Sequence, residues 1–159
     1  MIYLALGANL GDREASLRLA RAELASQVRV LAASPIYETA PWGYLDQPAY
    51  LNQVLQASSD LPPLNLLAHL KRIEANLGRK PNFKFGPRLI DLDILLYHEQ
   101  VVNLDELVIP HPHLAERAFV LVPLADLAPD LRHPTLGLTV TEMLAQTGRE
   151  GVVLHSTAA

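Results

Sequence analysis

The sequence contains no cysteine. Disulfides, thiolate nucleophiles and cysteine-ligated zinc are therefore excluded together. The absence fits a reducing compartment, and the cytoplasm is the expected location. Net charge is only −4 over 159 residues, which gives no basic surface for general nucleic-acid binding. No apolar run is long enough to span a bilayer. Ile2-Tyr3-Leu4-Ala5-Leu6 follows Met1 without a basic segment, so no signal peptide is expected and no membrane partner either. Internal repeats and low-complexity tracts are also missing. The stretch Gly7-Ala8-Asn9-Leu10-Gly11 lacks both the Gly-Lys-Ser/Thr of a P-loop and the three-glycine dinucleotide fingerprint. A tight strand-to-helix turn is the better reading of it.

Half of the residues are hydrophobic, enough for one globular domain over 1–159 with a real core. Ile2–Leu6 reads as a strand. Asp12 is placed to cap a helix over roughly Arg13–Gln27, where Leu17, Ala20 and Leu24 recur at helical spacing. Val28–Tyr37 reads as one strand, and Tyr50–Ser58 as the next. Between them, Pro41, Gly43 and Pro48 forbid a ladder and leave a long loop around Trp42, the only tryptophan. A helix begins near Pro62-Pro63, buries Leu66, Leu70, Ile73 and Leu77, and stops at Gly78. Val101–Val102 and Leu107–Ile109 suit a small edge hairpin. Arg117–Leu127 and Leu138–Thr147 suit helices, and the chain from Gly148 onward shows little pattern. The order β-α-β-β-α-β matches the split βαβ plan. The expected class is α+β, a ferredoxin-like core with one mixed or antiparallel sheet and helices packed on it.

The chemistry concentrates in Gly86-Pro87-Arg88-Leu89-Ile90-Asp91-Leu92-Asp93-Ile94-Leu95-Leu96-Tyr97. With period two, Ile90, Leu92, Ile94 and Leu96 share one face, and Leu89, Asp91, Asp93 and Leu95 the other. The run is apolar enough for a central strand, yet it sets two carboxylates side by side. On a solvated face they would pair with Arg or Lys. Inside a Leu/Ile run that reading loses ground, because an unpaired buried carboxylate is costly. Two parallel carboxylates suit Mg²⁺, which keeps room for waters and phosphate oxygens. Arg79, Lys80, Lys84 and Arg88 lie within Gly78–Arg88 without an acid among them, and Arg88 could clamp a phosphate in a fork. His111 and His113 stand two apart, but flanking prolines and the lack of a third ligand argue against a metal there.

Six blocks resemble one family, 6-hydroxymethyl-7,8-dihydropterin pyrophosphokinase of the folate pathway. They are Leu6–Asp12, Tyr37–Gly43, Gln47–Asn52, Ile73-Glu74 to Gly78-Arg79, Gly86–Ile94, and Pro110-His111 with Arg117-Ala118-Phe119, in order and in register. The resemblance implies transfer of the terminal pyrophosphate of ATP to the pterin hydroxymethyl group, leaving AMP. It implies that Asp91 and Asp93 hold two Mg²⁺ and that Arg79 and Arg88 bind the triphosphate and stabilise charge in transfer. Lys71, Glu74, His111 and Arg117 fall where the family contacts ATP. Tyr50 and Phe119 would stack on the pterin, with Asn52 and the loop from Thr39 and Ala40 to Trp42 meeting its polar edge. Partners beyond these small molecules are not implied, and a monomer is expected. Such transfer needs positioning and electrostatics more than a covalent nucleophile.

This chain departs from the family pattern at Ala8, Ala40, Pro81 and Phe85. Only Pro81 bears on chemistry, because it stands where a second loop arginine is usual. Lys80 and Lys84 are the cations inside the loop that could replace it. A metal-dependent glycosyltransferase also places Asp-x-Asp after an apolar strand, but usually in a longer chain. A ferredoxin-like module that binds a small ligand without turnover is the non-enzymatic alternative. ATP turnover with AMP release separates the three.

Overall fold

The structure, a computed structural model, describes residues 1–41, 45–78 and 89–157. Among the described residues, eight strands and four helices run in the order β1 (Ile2–Ala8), α1 (Arg13–Leu24), β2 (Arg29–Ala33), β3 (Ile36–Thr39), β4 (Tyr50–Ser58), α2 (Pro63–Asn76), β5 (Asp91–Tyr97), β6 (Val102–Asn103), β7 (Val108–Ile109), α3 (Ala118–Leu127), α4 (Val140–Thr147) and β8 (Val152–Ser156). A 3₁₀ turn at Leu114–Glu116 precedes α3. The main sheet is antiparallel throughout, in the order β5-β1-β4-β3-β8, with β2 pairing the far half of β4. Taken without β8, this is the ferredoxin-like arrangement that the element order predicts.

Each face of the sheet carries its own core. Ile2, Leu4, Leu6, Leu51, Leu55, Ile90, Leu92 and Ile94 meet Leu17, Ala20 and Leu24 of α1 and Leu66, Leu70 and Ile73 of α2. Tyr3, Val54, Leu95 and Leu96 meet α3 and α4 through Leu121, Leu124, Val140, Met143 and Leu144. The helices start where local chemistry directs them. The Asp12 carboxylate accepts from Ala15 N at 3.1 Å, Pro63 opens α2, and Thr139 and Glu142 form a capping box on α4. Gly78 ends the α2 segment at φ +90°, a region that glycine enters without strain.

Four expectations change. Val28–Tyr37 is not one strand. Ser34-Pro35 breaks it, since Pro35 has no N–H for a ladder. The Ser34 hydroxyl accepts from Val54 N at 2.9 Å and donates to Pro35 O at 2.8 Å, while Ser34 N donates to Val54 O. The carboxylate strand β5 is not central. It lies at the sheet edge, where the His111 N–H bonds Leu95 O at 2.9 Å. Its alternation also stops short. The β1–β5 register slips between Tyr3 and Leu4, so that Tyr3 faces Leu96 while Leu4 faces Ile94. This bulge places Leu95 and Leu96 together in the α3/α4 core and returns Tyr97 to the other. Lastly, the tail is not patternless. Its β8 pairs with β3, which supplies hydrogen-bond partners that composition does not reveal.

Ser34 is 1% exposed, and its hydroxyl does the work of a missing ladder bond. Ser34→Ala leaves the Val54 N–H without that partner and is expected to lower stability by about 1–3 kcal/mol. Urea unfolding checks this, and an unchanged midpoint would contradict it.

Candidate active site

One row across the sheet assembles the site. Gly7 of β1 pairs with Asp91 of β5 on one side and with Asn52 of β4 on the other, and Asn52 pairs with Tyr37 of β3. Directly opposed residues point to the same face. One step along, Ala5 pairs with both Asp93 and Val54. The face is that of α3, since Val54 packs in the α3/α4 core. Two carboxylates, a buried amide and an aromatic ring at Tyr50 thus come from β4 and β5 onto one surface, with α3 arriving above.

Asn52 and Thr39 are both 6% exposed, and Asn52 Nδ2 donates to Thr39 Oγ1 at 2.7 Å. This bond turns the amide oxygen toward Gly7, where a Cβ would lie 3.4 Å from it and 3.5 Å from Tyr50 Cδ1. Tyr50 itself is held through its neighbours. Arg13 donates to Ala49 O at 3.0 Å and pairs with Glu38 at 2.6 Å, and Asn9 Nδ2 donates to Gln47 Oε1 and Pro48 O. Ala40 is exposed beyond Thr39. Trp42, Arg79, Lys80, Pro81, Lys84, Phe85 and Arg88 lie outside the described residues.

The carboxylates need positive charge. Burial, then repulsion by Asp91, pushes Asp93 up to about 7, while Arg117 and Lys71 pull it down and Glu74 adds to the rise. Arg117 precedes α3, its guanidinium 5.4 Å from the centre of the Phe119 ring, and feels Asp93, Asp91 and Tyr50. It therefore links the charged and aromatic halves of the site. His111 is held neutral, with burial and then Arg117 pushing it down to about 4. Its Nδ1 accepts from His113 N at 3.1 Å, and the His113 imidazole pairs with Glu116. Among the described residues, no three metal-capable side chains cluster. The donor set at Asp91 and Asp93 is therefore two oxygens-only side chains. That fits a hard cation which keeps several positions for water and phosphate, and it suits Mg²⁺ better than a metal wanting a full protein cage.

Glu74, expected to contact ATP, lies between α2 and β5. It is 2% exposed, and its Oε2 accepts from Leu92 N at 2.8 Å while Oε1 meets Lys71 at 3.4 Å. Because β5 is an edge strand, the outward N–H between the two aspartates has no ladder partner, and α2 supplies one. Sequence reasoning also passed over Gly7, Asn9, Arg13 and Glu38. The available signals were a glycine inside a strand pattern and an asparagine at its end.

A model of the 7,8-dihydro-6-hydroxymethylpterin-pyrophosphokinase family matches residues 3–129. The 2-amino-4-hydroxy-6-hydroxymethyldihydropteridine pyrophosphokinase of Pseudomonas aeruginosa is 44% identical over 153 residues, 95% of this chain and 94% of that protein. The protein of the same name from Methylorubrum extorquens is 45% identical over 152 residues, covering 94% and 95%. Among solved structures, a Plasmodium falciparum HPPK-DHPS variant with pterin and p-hydroxybenzoate superposes with a TM-score of 0.73 at 16% identity. The match takes in 91% of this chain and 43% of that one, so the chain spans less than half of it. At that identity the likeness shows the fold alone.

The Glu74 contact yields a stability test. Glu74→Ala removes the acceptor from the buried Leu92 N–H and is expected to cost about 1–3 kcal/mol, whereas Glu74→Gln keeps an acceptor oxygen and recovers most of it. Urea unfolding at neutral pH measures both. Equal losses in the two variants would place the effect in the pair with Lys71.

Proposed function

The chain belongs to the 7,8-dihydro-6-hydroxymethylpterin-pyrophosphokinase family, and from that premise we propose what its site does in folate biosynthesis. It transfers the terminal pyrophosphate of ATP to the hydroxymethyl group of 6-hydroxymethyl-7,8-dihydropterin. The hydroxymethyl oxygen attacks the β-phosphorus and gives up its proton to solvent, the bond from that phosphorus to the α,β-bridging oxygen breaks, and AMP leaves with the electron pair. The observation that carries this reading is the row Asp91–Gly7–Asn52, which sets the carboxylates and a polar and aromatic corner on one sheet face.

Asp91 and Asp93 would hold two Mg²⁺. Bound there, Mg²⁺ neutralises phosphate charge and draws the phosphates into line. The rest is this chain's own work. Arg117 and Lys71 add positive charge beside the carboxylates, and Arg79 and Arg88 would bring more from outside the described residues. Glu74 fixes β5 to α2 through the Leu92 N–H and would contact the nucleotide from there. Tyr50 and Phe119 would stack on the two faces of the pterin, worth about 1–3 kcal/mol by analogy with bases on aromatic side chains. Asn52, oriented by Thr39, would meet the polar edge, which rejects analogues lacking the matching group. His111, kept neutral, would offer a hydrogen bond to nucleotide without adding charge. No helix among the described residues is long and apolar enough to cross a membrane. A single-domain monomer in the cytoplasm completes the proposal.

The test is AMP release. Wild-type protein with Mg²⁺, ATP and the hydroxymethylpterin is expected to form AMP and pterin diphosphate in equal amounts, and Asp91→Ala and Asp93→Ala are each expected to abolish turnover while remaining folded. Full activity in either variant removes the metal assignment. ATP left intact alongside bound pterin would favour a binding module.

A further inference from the structure

Gly7 is a glycine for which the fold gives no reason. It sits inside β1, paired on both sides, where a glycine weakens a strand. Its φ is not among the positive values, so no left-handed backbone demands it. Packing does not demand it either. A Cβ built there would lie 3.4 Å from Asn52 Oδ1 and 3.5 and 3.8 Å from Tyr50 Cδ1 and Cε1, all ordinary contacts with side chains. A strand position that accepts alanine by conformation and by space, yet carries glycine, is set by something above the sheet.

What lies above is the meeting place of the two halves of the site. Gly7 is the register partner of Asp91 and of Asn52 together, and all three face α3. Two inter-strand spacings separate the Asp91 and Asn52 backbones, roughly 10 Å. On the proposed function, the phosphate being transferred lies toward Asp91 and the pterin toward Tyr50 and Asn52. The acceptor hydroxymethyl group must then cross the gap between them, and Gly7 is the floor of that gap.

We propose that Gly7 is a specificity-determining residue of the transfer step. Its missing side chain leaves the volume in which the hydroxymethyl oxygen reaches the phosphorus. A methyl group there, touching Asn52 Oδ1 and the Tyr50 ring, lifts the acceptor off the floor on the pterin side and leaves the nucleotide's contacts in place. The cations and carboxylates that bind nucleotide are untouched, because their side chains start one strand away. The effect is therefore on the joined complex and not on the nucleotide site alone.

Gly7→Ala decides it, with Gly7→Ser as a second, slightly larger step. Thermal unfolding of both is expected to match or exceed wild type. Binding of a non-hydrolysable ATP analogue with Mg²⁺ is expected to be unchanged. Single-turnover pyrophosphate transfer at saturating ATP and pterin is expected to fall by about 100-fold in Gly7→Ala, the loss typical of an ångström-scale misplacement, and further in Gly7→Ser. A wild-type transfer rate in Gly7→Ala overturns the inference. So does a loss of analogue binding or of melting temperature parallel to the loss of rate, since Gly7 would then be structural. The wild-type control separates this from the proposed function. If wild type transfers no pyrophosphate the function itself fails, and if it does so while Gly7→Ala matches it, only this inference fails.

Discussion

Asp91 and Asp93 share one face of β5, and burial of Asp93, followed by repulsion from Asp91, pushes Asp93 up to about 7. Apolar packing alone would have put Leu or Val at both positions. The surrounding structure can be understood as holding this unfavourable pair in place. The bulge at Leu95 lets the strand after the aspartates bury both of its faces. The edge position leaves one side of β5 open, and three neighbours close it: Glu74 on the Leu92 N–H, the His111 backbone on Leu95 O, and the small β6–β7 sheet beyond. Arg117 and Lys71 draw the Asp93 proton off without cancelling the effects that retain it. The pair is thus held on a braced strand, with the Asp93 carboxyl pushed toward its protonated form, a state suited to a cation that arrives with phosphates.

The same economy governs the aromatic half. Arg117 lies against Phe119 and within reach of the charges of Asp91 and Asp93, so the start of α3 delivers cation and ring wall as one unit. Tyr37 ties the row to the same helix by donating from its hydroxyl to Asp126. Burial and that carboxylate push Tyr37 up to about 12, so it stays a neutral donor. The strand entering at Tyr50 is latched from β1 and α1 by Asn9 and Arg13. Positioning of this kind is what phosphoryl-type transfer asks of a protein, since there is little covalent chemistry to perform.

How much of this was legible in the sequence depended on the range of the interaction. The helices α1, α2, α3 and α4 were readable because caps and apolar spacing are local. Asp91 and Asp93 stood out because charges inside an apolar run break a local rule, and such breaks gather at functional sites. What escaped was non-local. Whether β5 is central or at an edge depends on strand order. Whether Leu96 continues the alternation depends on a slip against Tyr3. Whether Val152–Ser156 is a strand depends on an open edge at β3, which no residue in the tail announces. Ser34-Pro35 could have been read as a break from its proline alone. The burial of Glu74 and its bond to Leu92 N became visible only once α2 lay beside β5.

The central claim is that the Asp91–Asp93 pair is strained without a cation, and the pH dependence of stability tests it most directly. In the folded protein Asp93 holds its proton up to about 7, against an ordinary 3.8. The folded state binds that proton more tightly than the unfolded chain does. Stability from this group is therefore greatest below the ordinary value, falls as pH rises toward 7, and stays low above it. Asp93→Asn has no such proton to lose. Without divalent cations, the melting temperature of Asp93→Asn relative to wild type should rise steadily from pH 4.5 to 7.5 and then level. Saturating Mg²⁺ with a non-hydrolysable ATP analogue should reverse the order at pH 7.5, since only wild type gains the bound cation. A difference that is flat with pH, or an order that the metal complex leaves unchanged, would contradict the account.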